Sequence, residues 1–181
     1  ALGVVMPHYF AGYSGGRKSI LPGVAWKKTV ERNHSRMIEL MDNLPDLDHN
    51  PVNLEMIEAA RMVGLDFILN VVVNENKEVV KVVAGDVVDA WKEAVSVASG
   101  IYEVPIKGLA DVAIASACGH PRDINVYQMQ KALDHADKAT KKGGAIIVAA
   151  ECPMGYGEAV FEEWMNAARC PDDIVERINC L

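Results

Sequence analysis

The 181 residues carry 18 basic and 25 acidic side chains, a formal net charge of −7, and half of them are hydrophobic. This is the composition of a soluble globular chain long enough to bury a real core, and its acidic surplus argues against nucleic-acid binding. No apolar run approaches the ~18 residues of a membrane span, which argues against a membrane partner. With no signal peptide and no C-x-x-C spacing, Cys118, Cys152, Cys170 and Cys180 read as reduced thiols of a cytoplasmic protein.

The chain opens at Ala1 in a strand-like stretch and ends at Leu181 just after a helix-like segment. It reads as a piece of a longer protein, with simple processing of an initiator methionine as the alternative. Leu2 to Met6 is apolar and β-branched and predicts a buried strand. His8 to Gly23 follows as a loop punctuated by Gly12, Gly15, Gly16, Pro22 and Gly23. A helix is expected over Lys27 to Asp42, where Val30, Met37, Ile38 and Met41 recur at helical spacing and His34 shares their face. Leu44 to His49 is a turn. Asn50 as N-cap and Pro51 at the first helical position open a helix to about Val63. Asp66 to Val73 and Val79 to Val83 form a hairpin about Asn74 to Glu78, and Asp86 caps a helix to about Ile101.

Pro105 and Gly108 interrupt the pattern and mark a boundary. Beyond it, Val112 to Ala117, Asn125 to Lys141 and Ala145 to Ala150 make a βαβ unit, with Asp123 as a candidate N-cap. Helices over about Gly157 to Ala168 and Asp172 to Asn179 complete an α/β chain in two parts. It has a mixed sheet with flanking helices, and the βαβ unit lies in the second part.

Lys18, closing the glycine-rich loop, could be a phosphate clamp, a nucleophile or an exposed charge. The P-loop pattern G-x-x-x-x-G-K-[ST] fails, because Arg17 stands where glycine must precede the lysine. The short basic clusters Arg17-Lys18, Lys27-Lys28 and Lys141-Lys142 read as solvated surface. His34 could be a hydrogen-bonded core residue or a ligand. Together with His8 it places two imidazoles around an amine, a set compatible with metal or acid–base chemistry. Tyr127, Gln128 and Lys131 can share one helical face, at the carboxyl end of a parallel-type strand where ligands bind in α/β folds. Gly119-His120-Pro121 is read as a loop and His49 and His135 as surface. Arg122 is an outside candidate for carboxylate binding. Trp26 stands where a small residue would suit the helix entry.

The run Pro7-His8-Tyr9-Phe10-Ala11-Gly12-Tyr13-Ser14-Gly15-Gly16-Arg17-Lys18-Ser19-Ile20-Leu21-Pro22-Gly23, followed by Asn33-His34, resembles the signature of the lactate racemase family. Asp123 to Lys131, Gly143 to Ile147, Glu151-Cys152 and Gly155 to Gly157 are similar to later blocks of that family, in the same order. The resemblance implies a nickel pincer nucleotide, a pyridinium-3,5-dithiocarboxylic-type mononucleotide, held as a thioamide on Lys18 and lined by Phe10, Gly15 and Gly16. His34 would bind nickel, whose other donors are two cofactor sulfurs and a pyridinium carbon. His8 would be one of two acid–base histidines, the other lying upstream of this segment, and Lys18 and His8 are therefore the catalytic candidates. Gln128 and Lys131 would contact the substrate carboxylate and hydroxyl, with Tyr127 lining the pocket.

The implied activity is racemisation or epimerisation of a small 2-hydroxy acid by reversible hydride transfer, with cofactor-synthesis proteins as cellular partners. Residues 1–104 would then be the remainder of a cofactor-anchoring N-terminal domain and 105–181 an incomplete C-terminal α/β domain. Such a piece is expected to be inactive alone and to lack cofactor unless loaded. The competing readings are a non-catalytic fragment and a hydrolase or lyase using His8 and His34 with an ordinary divalent metal.

Overall fold

A computed structural model describes residues 1–40 and 46–179. Met41, Asp42, Leu44 and Cys180, for which the sequence raised expectations, lie outside the described residues. The chain divides into two compact units, Ala1–Val104 and Pro105–Cys180.

In the first unit a three-stranded sheet has the order β1 (Leu2–Val4), β4 (Ile68–Val73), β5 (Val79–Gly85). β1 runs parallel to β4, and β4 and β5 form the expected antiparallel hairpin. Between β1 and β4 lie the two-residue strands β2 (Pro7–His8) and β3 (Gly12–Tyr13), α1 (Lys27–Ser35) and α2 (Pro51–Met62). α3 (Asp89–Tyr102) follows the hairpin and buries Ala90, Trp91, Ala94, Val95 and Ala98 on one face. That face joins Val5, Ile68, Val72, Val83 and Val87 in the main core, each large apolar side chain contributing roughly 1.5–3 kcal/mol. A second cluster gathers Phe10, Ala11, Leu21, Leu40, Val52 and Met56, with Val30 and Met37 packed against it.

Several local expectations hold for the stated reasons. The Asn50 side chain accepts from the Asn53 N–H with Pro51 at the start of α2. Asp86 Oδ1 accepts from the Val88 and Asp89 N–H groups ahead of α3. The first strand is shorter than expected, and it is not buried throughout: Leu2 is 77% exposed whereas Val5, just past β1, is fully buried. The helix after Trp26 stays α-helical only to Ser35 and tightens into a 3-10 turn over Arg36–Leu40. Trp26 is exposed at the mouth of α1 and lies under the Lys28 ammonium.

The second unit contains β6 (Ala110–Ser116), α4 (Val126–Asp137) and β7 (Thr140–Ala149), with β6 and β7 parallel, as a βαβ unit requires. α4 ends four residues earlier than expected and β7 starts five earlier, so Gly143 and Gly144 lie within the strand. The register shifts between Ala110 and Val112, and a Cβ at Gly144 would stand 2.8 Å from the Asp111 carbonyl. That close approach is why glycine occurs inside the strand. Asn125, not Asp123, caps α4, its side chain accepting from the Gln128 N–H at 2.9 Å. α5 (Ala159–Ala167) and α6 (Pro171–Asn179) complete the unit. Among the described residues no helix is long and apolar enough to cross a membrane, and Cys118, Cys152 and Cys170 are free thiols.

Candidate active site

Four residues separated by up to 26 positions meet in the first unit. β2 ends on His8, the reversal to β3 carries Phe10, Lys18 sits in a 3-10 turn (Gly16–Ser19), and His34 occupies the last turn of α1. Lys18 Nζ lies 2.8 Å from His8 Nε2. The buried Phe10 ring stands edge-on between the two imidazoles, at 4.6 Å from His8 and 4.8 Å from His34, with Lys18 Nζ 5.7 Å from its centroid. The result is one aromatic wall bearing an amine and two imidazoles.

The loop is held from beneath by side chains that sequence reading passed over. Arg17, expected on the surface, is completely buried. Its Nε donates to Asn53 Oδ1 at 2.7 Å, its Nη2 to the Ala11 carbonyl at 3.0 Å, and its Nη1 to the Gly15 carbonyl at 3.3 Å. The guanidinium also stacks 3.6 Å from the Trp91 ring. Burial pushes its pKa down to about 9, since no compensating carboxylate accompanies it among the described residues. Asn50 Nδ2 donates to the Phe10 carbonyl, Asn70 Oδ1 accepts from the Gly16 N–H, and Trp91 Nε1 donates to the Ser14 carbonyl, each at 2.8 Å. The sequence signal was the string Asn50, Asn53 and Asn70 on otherwise apolar element faces, which a folded chain tolerates only when every amide is paired.

Gly15 has φ of +84°, and a Cβ there would stand 2.7 Å from Val5 Cγ2 and 3.0 Å from Asn70 Oδ1. Gly16 likewise faces Trp91 and Ile68. Both let the loop lie down on the core and so set the direction in which Lys18 leaves it.

His34 is half-buried, and its Nδ1 is buried with no hydrogen-bond partner. Its pKa is lowered, first by burial and then by the positive charge of Lys18, with the Val30 carbonyl pulling the other way. The ring is therefore held neutral, and a neutral imidazole suits a borderline divalent metal. Among the described residues no three His, Cys, Asp or Glu side chains gather to hold a metal ion. A metal at His34 would therefore take its other donors from outside the described residues.

In the second unit Lys131 Nζ donates to Gln128 Oε1 at 2.8 Å, so these residues share a face of α4, both half-buried. Tyr127 turns toward α5, its ring 5.6 Å from Phe161. Asp123 is buried and ties two loops together: its carbonyl accepts the Cys152 N–H at 2.9 Å, and its carboxylate accepts the Glu151 N–H at 3.4 Å. His120 and Arg122 are exposed in the preceding loop, His135 is exposed on α4, and His49 pairs with Asp46 on the surface.

Two family models cover more than half of the chain: the lactate racemase N-terminal domain matches residues 1–43 and the lactate racemase C-terminal domain residues 106–180. The chain belongs to the lactate racemase family. It is 40% identical over 182 residues to the lactate racemase of Thermoanaerobacterium thermosaccharolyticum, covering 98% of this chain and 42% of that protein. It is 39% identical over 163 residues to the lactate racemase of Lactiplantibacillus plantarum, covering 88% and 38%. The structure of the T. thermosaccharolyticum lactate racemase apoprotein superposes with a TM-score of 0.92 at 39% identity, over all of this chain and 44% of that one. A Thermotoga maritima protein of known crystal structure shares the fold at a TM-score of 0.70 and 22% identity, over 94% of this chain and 44% of that one. This family chain therefore spans less than half the length of the lactate racemases it matches.

Proposed function

We propose that this chain supplies the lysine anchor, one acid–base histidine and the metal-binding histidine of a 2-hydroxy acid racemase or epimerase, with lactate the model substrate. The observation that carries the reading is the meeting of Lys18, His8 and His34 about Phe10, with no complete set of protein donors for a metal among the described residues. The relatives named lactate racemase support it. Lys18 would hold a nickel pincer nucleotide through a thioamide, Phe10 would flank its ring, and His34 would bind its nickel. When bound, that group supplies a reversible hydride acceptor.

The rest falls to the protein. His8 exchanges the hydroxyl proton of the substrate at Nε2. Lys131 and the Gln128 amide are adjacent donors suited to a substrate carboxylate and hydroxyl, with Tyr127 beside them. Because the chain spans less than half the length of its lactate racemase relatives, it is expected to show no racemase turnover by itself. The reading based on a protein-ligated divalent metal has less support, because His8 and His34 lack a third ligand among the described residues.

Intact-mass and peptide mass spectrometry of the full-length protein, co-expressed with the cofactor-synthesis proteins, tests the anchor. An adduct on Lys18 is expected, and active protein with unmodified Lys18 would defeat the proposal. His34→Ala in the same protein should abolish nickel retention and turnover while leaving the Lys18 adduct in place.

A further inference from the structure

Away from the lysine–histidine wall, a cavity of the second unit has a chemistry of its own. It measures about 340 Å³ and is lined by Tyr127, Glu158, Val160, Phe161 and Trp164. The close approach of two chain segments builds it. The first turn of α4 is tied to the loop before α5: the Val126 N–H donates to the Gly155 carbonyl at 2.9 Å, and the Tyr127 N–H to that of Tyr156 at 3.2 Å. Gly157 permits this approach, since a Cβ there would stand 2.2 Å from the Asn125 amide nitrogen. Tyr127 thereby meets Phe161 with 5.6 Å between ring centroids and 73° between planes, an aromatic corner. Trp164 follows Phe161 by three residues on α5 and adds a ring on the same helix face. No residue of α5 is buried, so the core of the unit does not absorb these rings.

The charge at this corner is negative. Glu158 precedes α5 without bonding its side chain to the helix start, and among the described residues its carboxylate has no hydrogen-bond or ionic partner. Glu162 and Glu163 follow on α5. Arg177 offsets one of them by pairing with Glu163, and its guanidinium stacks 4.6 Å from the Trp164 ring, so that ring already serves one cation. Lys131, one turn beyond Tyr127 on α4, is bonded to Gln128 and does not line the cavity. Ring faces are the negative poles of the aromatic quadrupole, so three rings and an unpaired carboxylate attract a cation. The walls offer few acceptors for the three N–H donors of a primary ammonium, which is strongly hydrated. A quaternary ammonium brings no N–H and leaves water readily. We propose that this cavity binds a quaternary ammonium group, carried by a free small molecule or by a methylated lysine of a protein. Tyr127, Phe161 and Trp164 form the cage and Glu158 supplies the counter-charge. Tyr127 is shared with the substrate-facing residues above, but the cation site stands on α5 and does not depend on that reading.

Proton NMR titration of the chain with choline, and with its uncharged carbon isostere dimethylbutanol, tests the site. Choline should bind saturably, with nuclear Overhauser contacts from its methyl protons to the Trp164 and Phe161 rings. It should bind about tenfold tighter than the isostere. Glu158→Gln should weaken choline about fivefold, near the upper limit for one exposed ion pair, and leave the isostere unmoved. Phe161→Leu keeps an apolar side chain but removes a ring, and should erase most of the preference for the cation. Glu158 is exposed, so its substitution keeps the test decisive if Phe161→Leu does not fold. Equal affinity for the two ligands, no saturable binding, or a choline preference that survives substitution of Glu158 and Phe161 overturns the proposal. A peptide carrying trimethyl-lysine separates the sources. Tighter binding than choline assigns the site to a protein partner, and equal binding assigns it to a free small molecule.

Discussion

The two units present their candidate site side chains in opposite ways. In the first, Lys18, His8 and His34 stand on a loop and a short helix whose underside is buried. Arg17, Asn50, Asn53 and Asn70 are each no more than 1% exposed and pair with the loop backbone or with one another. In the second, Gln128 and Lys131 ride on a single helix over a two-stranded sheet, and the buried side chains are few: Ala117, Asp123 and Ala136. Val112, Ile114 and Ile147 on that sheet are more than half exposed. Covalent attachment and metal binding need fixed geometry, which a glycine-rich loop lacks unless its carbonyls are tied down. A carboxylate contact on a helix is positioned by the helix itself.

The largest expected effect breaks the first arrangement. Arg17→Ala removes the donors to three loop carbonyls and orphans Asn53 Oδ1, and should destabilise the first unit by roughly 3–5 kcal/mol. Hydrogen exchange should then show lost protection in β4 and α3 with α4 unchanged; equal loss in α4 would contradict the contrast between units. Asn70→Ala deprives the Gly16 N–H of its partner, at a cost of about 1–3 kcal/mol in denaturant unfolding.

A smaller effect is visible with pH. The folded pKa of His34 lies below its unfolded value of about 6.5, so the unfolded chain binds more protons between the two values. Stability contributed by neutral His34 is therefore complete above pH about 6.5 and declines as the pH falls toward the folded pKa. His34→Gln should flatten that part of the stability profile, and an unchanged slope would place the dependence elsewhere. At the low end, Gln128→Ala and Lys131→Ala should move stability by no more than about 0.5 kcal/mol, as for partly exposed side chains. In the full-length enzyme they should raise KM for the 2-hydroxy acid. A stability loss as large as that of Arg17→Ala would show α4 to be structural.

Much of the local structure was legible because the signals are local. Asn50-Pro51 opens a helix wherever it stands, β-branched runs about Asn74 to Glu78 make a hairpin, and Pro105 with Gly108 marks a break. The extent of α4 and β7 was misjudged because Gly143-Gly144 reads as a turn, whereas a close approach to the Asp111 carbonyl uses glycine inside a strand. Lys18 was legible as a candidate from its place in a distinctive run, and His34 from an imidazole on an apolar face.

What the sequence by itself determined is therefore the set of chemical groups and their helices, strands and caps, since these depend on neighbours a few residues away. Only the tertiary structure decided that Arg17 is interior and that His8, Lys18 and His34 share one wall. The reason is that desolvation and hydrogen-bond partners come from distant residues, as where the Arg17 guanidinium stacks on Trp91.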